Sequence, residues 1–371
     1  MKIIIKKELL LDSLNKVSKA LSTKNLVPAL AGIKFDLKKE GLTLTASDND
    51  ITIETFIPKT EEMKIEEEGS IIIQGKYILD IVRKIPDDNI NIEVFDETKI
   101  IISTNNSEYN LNGIDKRDYP NIKLEESKNP IIIDSKDFKK MVNQTSFATS
   151  NDESRPQLTG INFKLINNEL ECSATDSYRL SRKVLNIDNN TTETFNIIIP
   201  SKNLIEFVKI IDDDKIEIHI FNNKILFKMQ NLLFQSRLIN GSYPNTSNLL
   251  PKDSKLKIFV DINSLYNVID RVSILTSDKE KNIVTLETNG NELTMKSSSV
   301  EIGRVEEKMI INKDNEEDIR ISFSAKFMME ALKSFEGEKA TINFVGEVNP
   351  IIIKDDKDEN LLQLVLPIRT Y

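Results

Sequence analysis

Residues 32–56 read GIKFDLKKEGLTLTASDNDITIETF, and two later stretches share the design: GINFKLINNELECSATDSYRLSRKV from Gly160 and NIVTLETNGNELTMKSSSVEIGRVE from Asn282. In each, two runs alternate apolar and polar residues, the period of a half-buried strand, and a turn (KKEG, INNE or NGNE) separates them at the same place. Ahead of each hairpin lies an amphipathic helical stretch, Lys7 to Ala20, Ser135 to Thr149 and Ile262 to Leu275. Apolar residues recur there at helical spacing, as in Leu10, Leu14, Val17 and Leu21 or Leu265, Val268, Ile269 and Val272. Behind each hairpin a β run leads straight into a second helix: SIIIQGKYILDIVRKIPDD, NIIIPSKNLIEFVKIIDDD and RISFSAKFMMEALKSFEGE. Lys76, Lys202 and Lys326 hold the same place in that helix and lie 126 and 124 residues apart by subtraction. The first two copies also end alike, in KRDYPNI and NGSYPNT.

The 371 residues exceed what one hydrophobic core serves, and three copies of one α+β unit account for them. Each unit is expected to hold two helices packed on about eight strands of antiparallel sheet. Boundaries near Leu124 and Asp253 give domains 1–124, 125–253 and 254–371. A composition of 39% hydrophobic and 29% charged residues is that of a globular protein. No apolar run reaches the ~18 residues of a membrane span, and the opening MKIIIKKELLLDSL turns charged too early for a signal peptide. The expectation is a cytoplasmic protein with no membrane partner.

Candidate catalytic groups are few. Cys172 is the only cysteine, so it forms no internal disulfide and is expected in a core. His219, the only histidine, sits in the strand pattern KIEIHIF, and any Cys–His or Ser–His–Asp arrangement would rest on it. Asp212, Asp213 and Asp214 align with Pro86, Asp87, Asp88 and with Glu336, Gly337, Glu338, which makes them a solvated turn rather than a metal site. There is no GxxxxGK[ST] phosphate loop. No catalytic residue, metal or cofactor is expected.

Charge is sorted by element. The six helical stretches (7–20, 75–85, 135–149, 201–211, 262–275, 324–335) hold fourteen Lys or Arg against seven Asp or Glu, a net of +7. With the chain at -9, the remainder carries -16. The helical cations are Lys7, Lys16 and Lys19; Lys76, Arg83 and Lys84; Lys136, Lys139 and Lys140; Lys202 and Lys209; Arg271; Lys326 and Lys333. Lysine commonly decorates solvated helix faces, but its recurrence on related helices predicts a surface that attracts phosphates without reading bases. The expected partner is double-stranded DNA of any sequence.

KELLLDSLNKVSKAL, LVPALAGIKF, ATDSYRLS, NGSYPNTSNLLP and the terminal LVLPIR together resemble the bacterial DNA polymerase III β subunit, the replicative sliding-clamp family, over essentially the whole chain. The resemblance implies a homodimer of three-domain subunits paired head to tail in a closed ring, helices inside and sheets outside. It implies that an ATP-driven clamp loader places the ring on DNA and that the ring holds the replicative polymerase to its template. At the family's subunit interface the matching residues are Tyr109 and Leu111 on an edge strand, and Ile274 and Leu275 after a helix of the third domain. Read alone, these four would be core residues.

The family's groove for short peptides from polymerases, loader and repair proteins is matched by Arg155, Leu158, Thr175, Tyr178, Arg179, Leu180, Pro244, Leu249, Leu364, Val365, Leu366, Pro367, Ile368 and Arg369. Lys24 matches a basic residue that touches the duplex in relatives. Asn248 stands where many relatives carry a basic residue, and the chain runs on through Thr370 and Tyr371. Two other classes fit parts of the pattern. One is an interaction scaffold that does not encircle DNA, to be separated by salt-dependent duplex binding; the other is a hydrolase built on a carboxylate cluster, to be separated by a turnover assay.

Overall fold

The computed structural model describes residues 1–21, 27–187, 194–246, 249, 254–276, 282–299 and 302–369. In the first copy β1 (Lys2–Lys6) runs into α1 (Lys7–Val17), followed by β2 (Gly32–Lys38), β3 (Gly41–Ser47), β4 (Ile51–Pro58), β5 (Met63–Glu67) and β6 (Gly69–Gln74). Then come α2 (Gly75–Lys84), β7 (Asn89–Phe95), β8 (Lys99–Ser103) and β9 (Glu108–Asn112). The second copy holds β10 (Ile131–Asp134), α3 (Ser135–Thr145), β11 (Gly160–Ile166), β12 (Glu169–Thr175), β13 (Arg179–Asn186) and β14 (Phe195–Pro200). It closes with α4 (Ser201–Ile210), β15 (Lys215–Ile220), β16 (Lys224–Met229) and β17 (Leu232–Arg237). The third holds β18 (Leu256–Asp261), α5 (Ile262–Ser273), β19 (Ile283–Asn289), β20 (Glu292–Ser299), β21 (Gly303–Ile310), β22 (Asn312–Lys313) and β23 (Arg320–Ser324). It ends with α6 (Ala325–Lys333), β24 (Lys339–Phe344), β25 (Ile351–Asp355) and β26 (Leu361–Val365). The fold is α+β, three copies of one unit with, among the described residues, six α-helices on antiparallel sheets.

One pairing rule recurs. In every copy the strand before the first helix joins the three strands after the second, while the hairpin strands join the strand ahead of the second helix. The short β5 and β22 extend the first kind of sheet beside β1 and β18. Sheets also run from copy to copy: β17 pairs with β4 (Phe234 opposite Ile53) and β13 with β26 (Leu180 opposite Leu364). An eight-stranded sheet, β10-β15-β16-β17-β4-β3-β2-β6, and a nine-stranded one, β14-β11-β12-β13-β26-β25-β24-β18-β22, result. The chain accordingly forms two compact units, Met1–Ser135 with Glu206–Leu238 and Lys136–Ile205 with Ile239–Tyr371, which divide the middle copy. Strands β9 and β21 remain sheet edges.

Local chemistry explains these elements. Strand β18, LKIFVD, alternates buried and exposed residues without a break, so one face must be covered. In the INNE turn Asn167 and Asn168 both take positive φ, +50° and +68°, the type I′ pairing that asparagine tolerates. The KKEG turn ends at Gly41, where φ is +154° and a Cβ would stand 2.2 Å from the Ile57 carbonyl. Packing in the first unit centres on Phe207, whose ring lies 4.5 Å from Phe227 and 4.8 Å from Phe234. In the second, Phe138 stacks on Phe163 at 6.0 Å. Cys172 is fully buried, which pushes its thiol pKa well up.

All six helical stretches are shorter than the sequence pattern suggests, four of them by two residues or more. The stretch 7–20 is α-helical to Val17 and tightens into a 3-10 turn at Ser18–Ala20, where the Ser18 hydroxyl donates to the Asn15 carbonyl. The stretch 135–149 likewise stops at Thr145, whose hydroxyl donates to the Met141 carbonyl at 2.7 Å. Helix α5 ends at Ser273 and starts under Asp261, which accepts from the Ser264 amide at 2.7 Å. Ser324 is the cap of α6 rather than its first residue. Among the described residues no helix is long and apolar enough to cross a membrane.

Candidate functional site

In the first unit α2 presents Lys76, Arg83 and Lys84, all exposed. Lys76 and Lys84 have no carboxylate partner among the described residues, and Arg83 donates to Asn15 Oδ1 at 3.2 Å. The other helix cations of this unit have partners. Lys16 lies 3.1 Å from Asp12 and 2.9 Å from Asp212. Glu206 lies 3.8 Å from Lys19 and 2.6 Å from Lys209, and Lys7 Nζ donates to the Ile85 carbonyl. Exposed pairs of this kind contribute only ~0–1 kcal/mol, so a phosphate can compete for the ammonium.

In the second unit Lys326 is exposed and has no carboxylate partner among the described residues, while Lys333 sits 5.0 Å from the Tyr266 ring. Lys136 and Lys202 are exposed and Lys139 is half-buried. Lys140 pairs with Glu336 at 2.8 Å and Asp358 at 3.5 Å. Arg271 is compensated: Glu307 of the edge strand β21 accepts its Nε–H at 3.0 Å and its Nη2–H as well. Lys24, Asn248, Thr370 and Tyr371 lie outside the described residues.

Of the expected groove residues, Arg155, Thr175, Tyr178, Arg179, Leu180, Leu364 and Leu366 come together around the start of β13, also in the second unit. Asp176 Oδ1 accepts from the amides of Tyr178 (2.9 Å) and Arg179 (3.1 Å), and Ser177 takes φ +79°. This side-chain turn leaves Tyr178 62% exposed and sends Arg179 inward, where it is only 8% exposed. Arg179 then pairs with Asp176 at 2.9 Å and with Glu330 of α6, and donates to the Phe147 carbonyl at 2.5 Å. Its guanidinium lies 4.4 Å from the Phe327 ring and 5.3 Å from Phe147. Thr175 is buried too, its hydroxyl donating to the Arg179 carbonyl at 2.5 Å. Arg179 and Thr175 therefore brace the site from behind instead of lining it, because all their polar atoms have partners within the fold.

Beside them Leu180 and Leu364 form a small apolar cluster with Ile352, flanked by Leu366. Leu158 and Val365 are buried, and Pro367 and Ile368 half-buried. The Leu366 amide donates to the Tyr178 carbonyl at 2.9 Å and the Ile368 amide to Ser322 at 2.7 Å, which fixes the terminal segment against β13 and β23. Tyr178, Pro244, Leu249, Arg155 and Arg369 are exposed, and Arg155 donates to Ser177 Oγ at 3.2 Å. The arrangement can hold apolar anchors on a preformed floor while Arg and hydroxyl groups fix polar atoms.

Sequence reading missed Phe147, Phe327, Glu330 and Tyr243. The Tyr243 hydroxyl accepts from the Thr175 amide at 2.9 Å, and burial pushes its phenol pKa up. A signal for it existed: the Tyr-Pro of NGSYPNT repeats that of KRDYPNI, where Tyr119 reaches the Thr45 carbonyl at 3.4 Å.

Two of the sheet edges, β9 and β21, complete the inventory. On β9, Tyr109 and Leu111 are half-buried on one face, opposite Ile102 and Ile100 of β8. Near β21, Ile310 is 77% and Ile274 73% exposed, and Leu275 is half-buried. Apolar side chains this open beside an unpaired edge invite a partner.

Three family models match the chain: the N-terminal domain of the DNA polymerase III beta subunit over residues 1–123, its central domain over 132–245 and its C-terminal domain over 247–369. The beta sliding clamp of Bacillus subtilis is 40% identical over 378 residues, covering 100% of both chains. Among solved structures, the DNA polymerase sliding clamp from Bacillus subtilis superposes with a TM-score of 0.96 at 39% identity. The DNA polymerase III beta chain of Streptococcus pneumoniae does so with 0.94 at 35%, and coverage is 100% of each chain in both comparisons.

Proposed function

Because the chain belongs to the DNA polymerase III β-subunit family and is a DNA sliding clamp of replication, we propose that two copies close head to tail into a ring around duplex DNA. The observation that carries this reading is the pairing rule. Wherever one copy meets the next, the third hairpin strand of the earlier (β4, β13) pairs with the last strand of the later (β17, β26). Continuing the rule pairs β21 of one chain with β9 of another, the third hairpin strand and the last strand that have no such neighbour within the chain. Tyr109 and Leu111 then face Ile274 and Leu275 across the join, each large side chain contributing ~1.5–3 kcal/mol on burial. Domains 1–124, 125–253 and 254–371, taken twice, are the six ring segments.

The helix cations line the opening in this reading and hold the phosphate backbone without base contacts, so the clamp moves freely along DNA of any sequence. Lys76, Lys84 and Lys326 are the first contacts, since no carboxylate must be displaced. Surplus acidity elsewhere repels DNA from the outer surface. The clamp is non-catalytic and works in the cytoplasm. A clamp loader supplies ATP hydrolysis, and the replicative polymerase and repair proteins dock short peptides over Leu180, Leu364 and Tyr178.

Sedimentation tests the closure. The protein is expected to run as a dimer at low concentration, and Tyr109→Ala with Leu111→Ala as a folded monomer. A wild-type monomer, or a double variant that stays dimeric, would contradict the pairing of β9 with β21.

A further inference from the structure

In every copy the chain that leaves the last strand is tied to the edge of the hairpin sheet at the same rung. The receiving residue is the third before the second helix: Ile72 ahead of α2, Ile198 ahead of α4 and Ser322 ahead of α6. Its carbonyl accepts an isoleucine amide each time, from Ile114 at 2.9 Å, Ile239 at 2.9 Å and Ile368 at 2.7 Å. A tyrosine then follows that isoleucine, by subtraction five residues on for Tyr119, four for Tyr243 and three for Tyr371.

In the first two copies this tyrosine turns back over the end of the second hairpin strand. Tyr119 is buried against Ala29, Leu30 and Ile72, and its hydroxyl donates to the Thr45 carbonyl at 3.4 Å. The Tyr243 hydroxyl accepts from the Thr175 amide at 2.9 Å. Thr175 stands two residues past the last pair of the β11–β12 ladder, Asn162 opposite Ser173, so its amide bonds outside the sheet. Ser298 holds that place in the third copy, two past Thr285 opposite Lys296. A cavity of about 1250 Å³ lies there, lined by Ile283, Thr285, Ser298 and Ser322 together with Ile368 and Arg369.

We propose that this cavity receives Thr370 and Tyr371, which lie outside the described residues, so that the third copy closes with the same tyrosine latch as the other two. Three extended residues reach ~10 Å. The earlier copies need longer spacers because theirs are not extended: one contains the 3-10 turn Lys116–Asp118, the other a bend at Gly241 with φ +117°. Ile283 offers the ring an apolar side, and Thr285 and Ser322, 2.8 Å apart through their hydroxyls, offer a polar one. Arg304, exposed and directly across the β20–β21 ladder from Ser298, can lie over the ring face.

The latch fixes segment 366–369 at both ends, by the Leu366 amide on the Tyr178 carbonyl and by Tyr371 at Ser298. Tyr371 is thereby a positioning residue for peptide binding. That consequence rests on the groove reading above; the latch itself does not.

Amide hydrogen exchange on the full chain tests it, read in fragments that hold Thr175 and Ser298. Tyr243→Phe calibrates the effect and should speed exchange at Thr175 about tenfold, the loss of one hydrogen bond. Tyr371→Phe should do the same at Ser298 and leave Thr175 unchanged, and Tyr371→Ala should do at least as much. Tyr371→Ala should also weaken a fluorescent peptide carrying Gln, leucines and Phe about fivefold, as loss of preorganisation does, with Tyr371→Phe restoring part of it. Exchange at Ser298 that ignores both Tyr371→Phe and Tyr371→Ala would overturn the latch. Faster exchange with unchanged peptide affinity would overturn the positioning role, whereas a wild type that binds no peptide would count against the groove reading alone.

Discussion

The corner at residues 47–52 and the corner at 175–180 have the same backbone and different surroundings. Asp48 accepts from the amides of Asp50 and Ile51 at 3.0 and 2.9 Å, as Asp176 does from those of Tyr178 and Arg179. Asn49 has φ +75° and Ser177 φ +79°. Ser47 bonds the Ile51 carbonyl, as Thr175 bonds that of Arg179. Each corner opens the strand that crosses into the next copy. At the first, Thr52 meets Gln235; at the second, Leu180 meets Leu364. The fold thus supplies a corner at every junction, and three side chains decide what it does. Asp50, Ile51 and Thr52 close one, whereas Tyr178, Arg179 and Leu180 set a ring over an apolar floor with a braced cation behind.

The sharpest way to break the comparison is Arg179→Ala. It strands Asp176 and Glu330 and empties the space between two rings, and should cost about 3 kcal/mol in denaturant unfolding, the low end for a buried pair because Glu330 is partly open. Ile51→Ala removes only apolar contacts at the matching position, about 2–3 kcal/mol, the low end for a buried isoleucine because it opens its strand, and should leave peptide binding intact. Leu180→Ala with Pro367→Ala should weaken a fluorescent peptide carrying Gln, leucines and Phe about a hundredfold, the loss expected when two anchors of a small site go. Undiminished binding would put the peptide elsewhere.

Further along the two strands, Lys183 and Thr55 hold matching places. Lys183 bonds Asp358 at 2.5 and 2.7 Å, while the buried Thr55 hydroxyl has no partner among the described residues. Burial opposes ionisation of Asp358, but the Lys183 hydrogen bond and the charges of Lys183 and Lys140 outweigh it and lower its pKa. The folded carboxyl binds its proton less tightly than the unfolded one. Its contribution is therefore complete above the unfolded value near ~4 and is lost as pH falls through the folded one. Lys183→Met should flatten that acid limb in thermal melts recorded from neutral pH downward. Thr55→Val should change stability by less than about 1 kcal/mol, and in the stabilising direction, since it removes an unsatisfied hydroxyl.

Much of the architecture was legible because alternation, turn residues and helix spacing are local and here occur three times. The pair Asn167 and Asn168 marks a hairpin turn on its own. The copy-to-copy strand pairings were not legible, because no local pattern tells β17 that its neighbour is β4. The basic helices were found by counting, but Lys16 and Asp212 are 196 residues apart, and only folding reveals which cations are compensated. The groove came from resemblance, and its inward members show the limit: Arg179 meets Glu330 across 151 residues of chain, so nothing in ATDSYRLS says that its arginine turns inside.

Retention on DNA tests encirclement most directly. Protein loaded on a nicked circle should stay through a high-salt wash that strips simple phosphate contacts, and should leave within the same wash once the circle is cut. Equal retention on circular and linear DNA would contradict a closed ring threaded by the duplex.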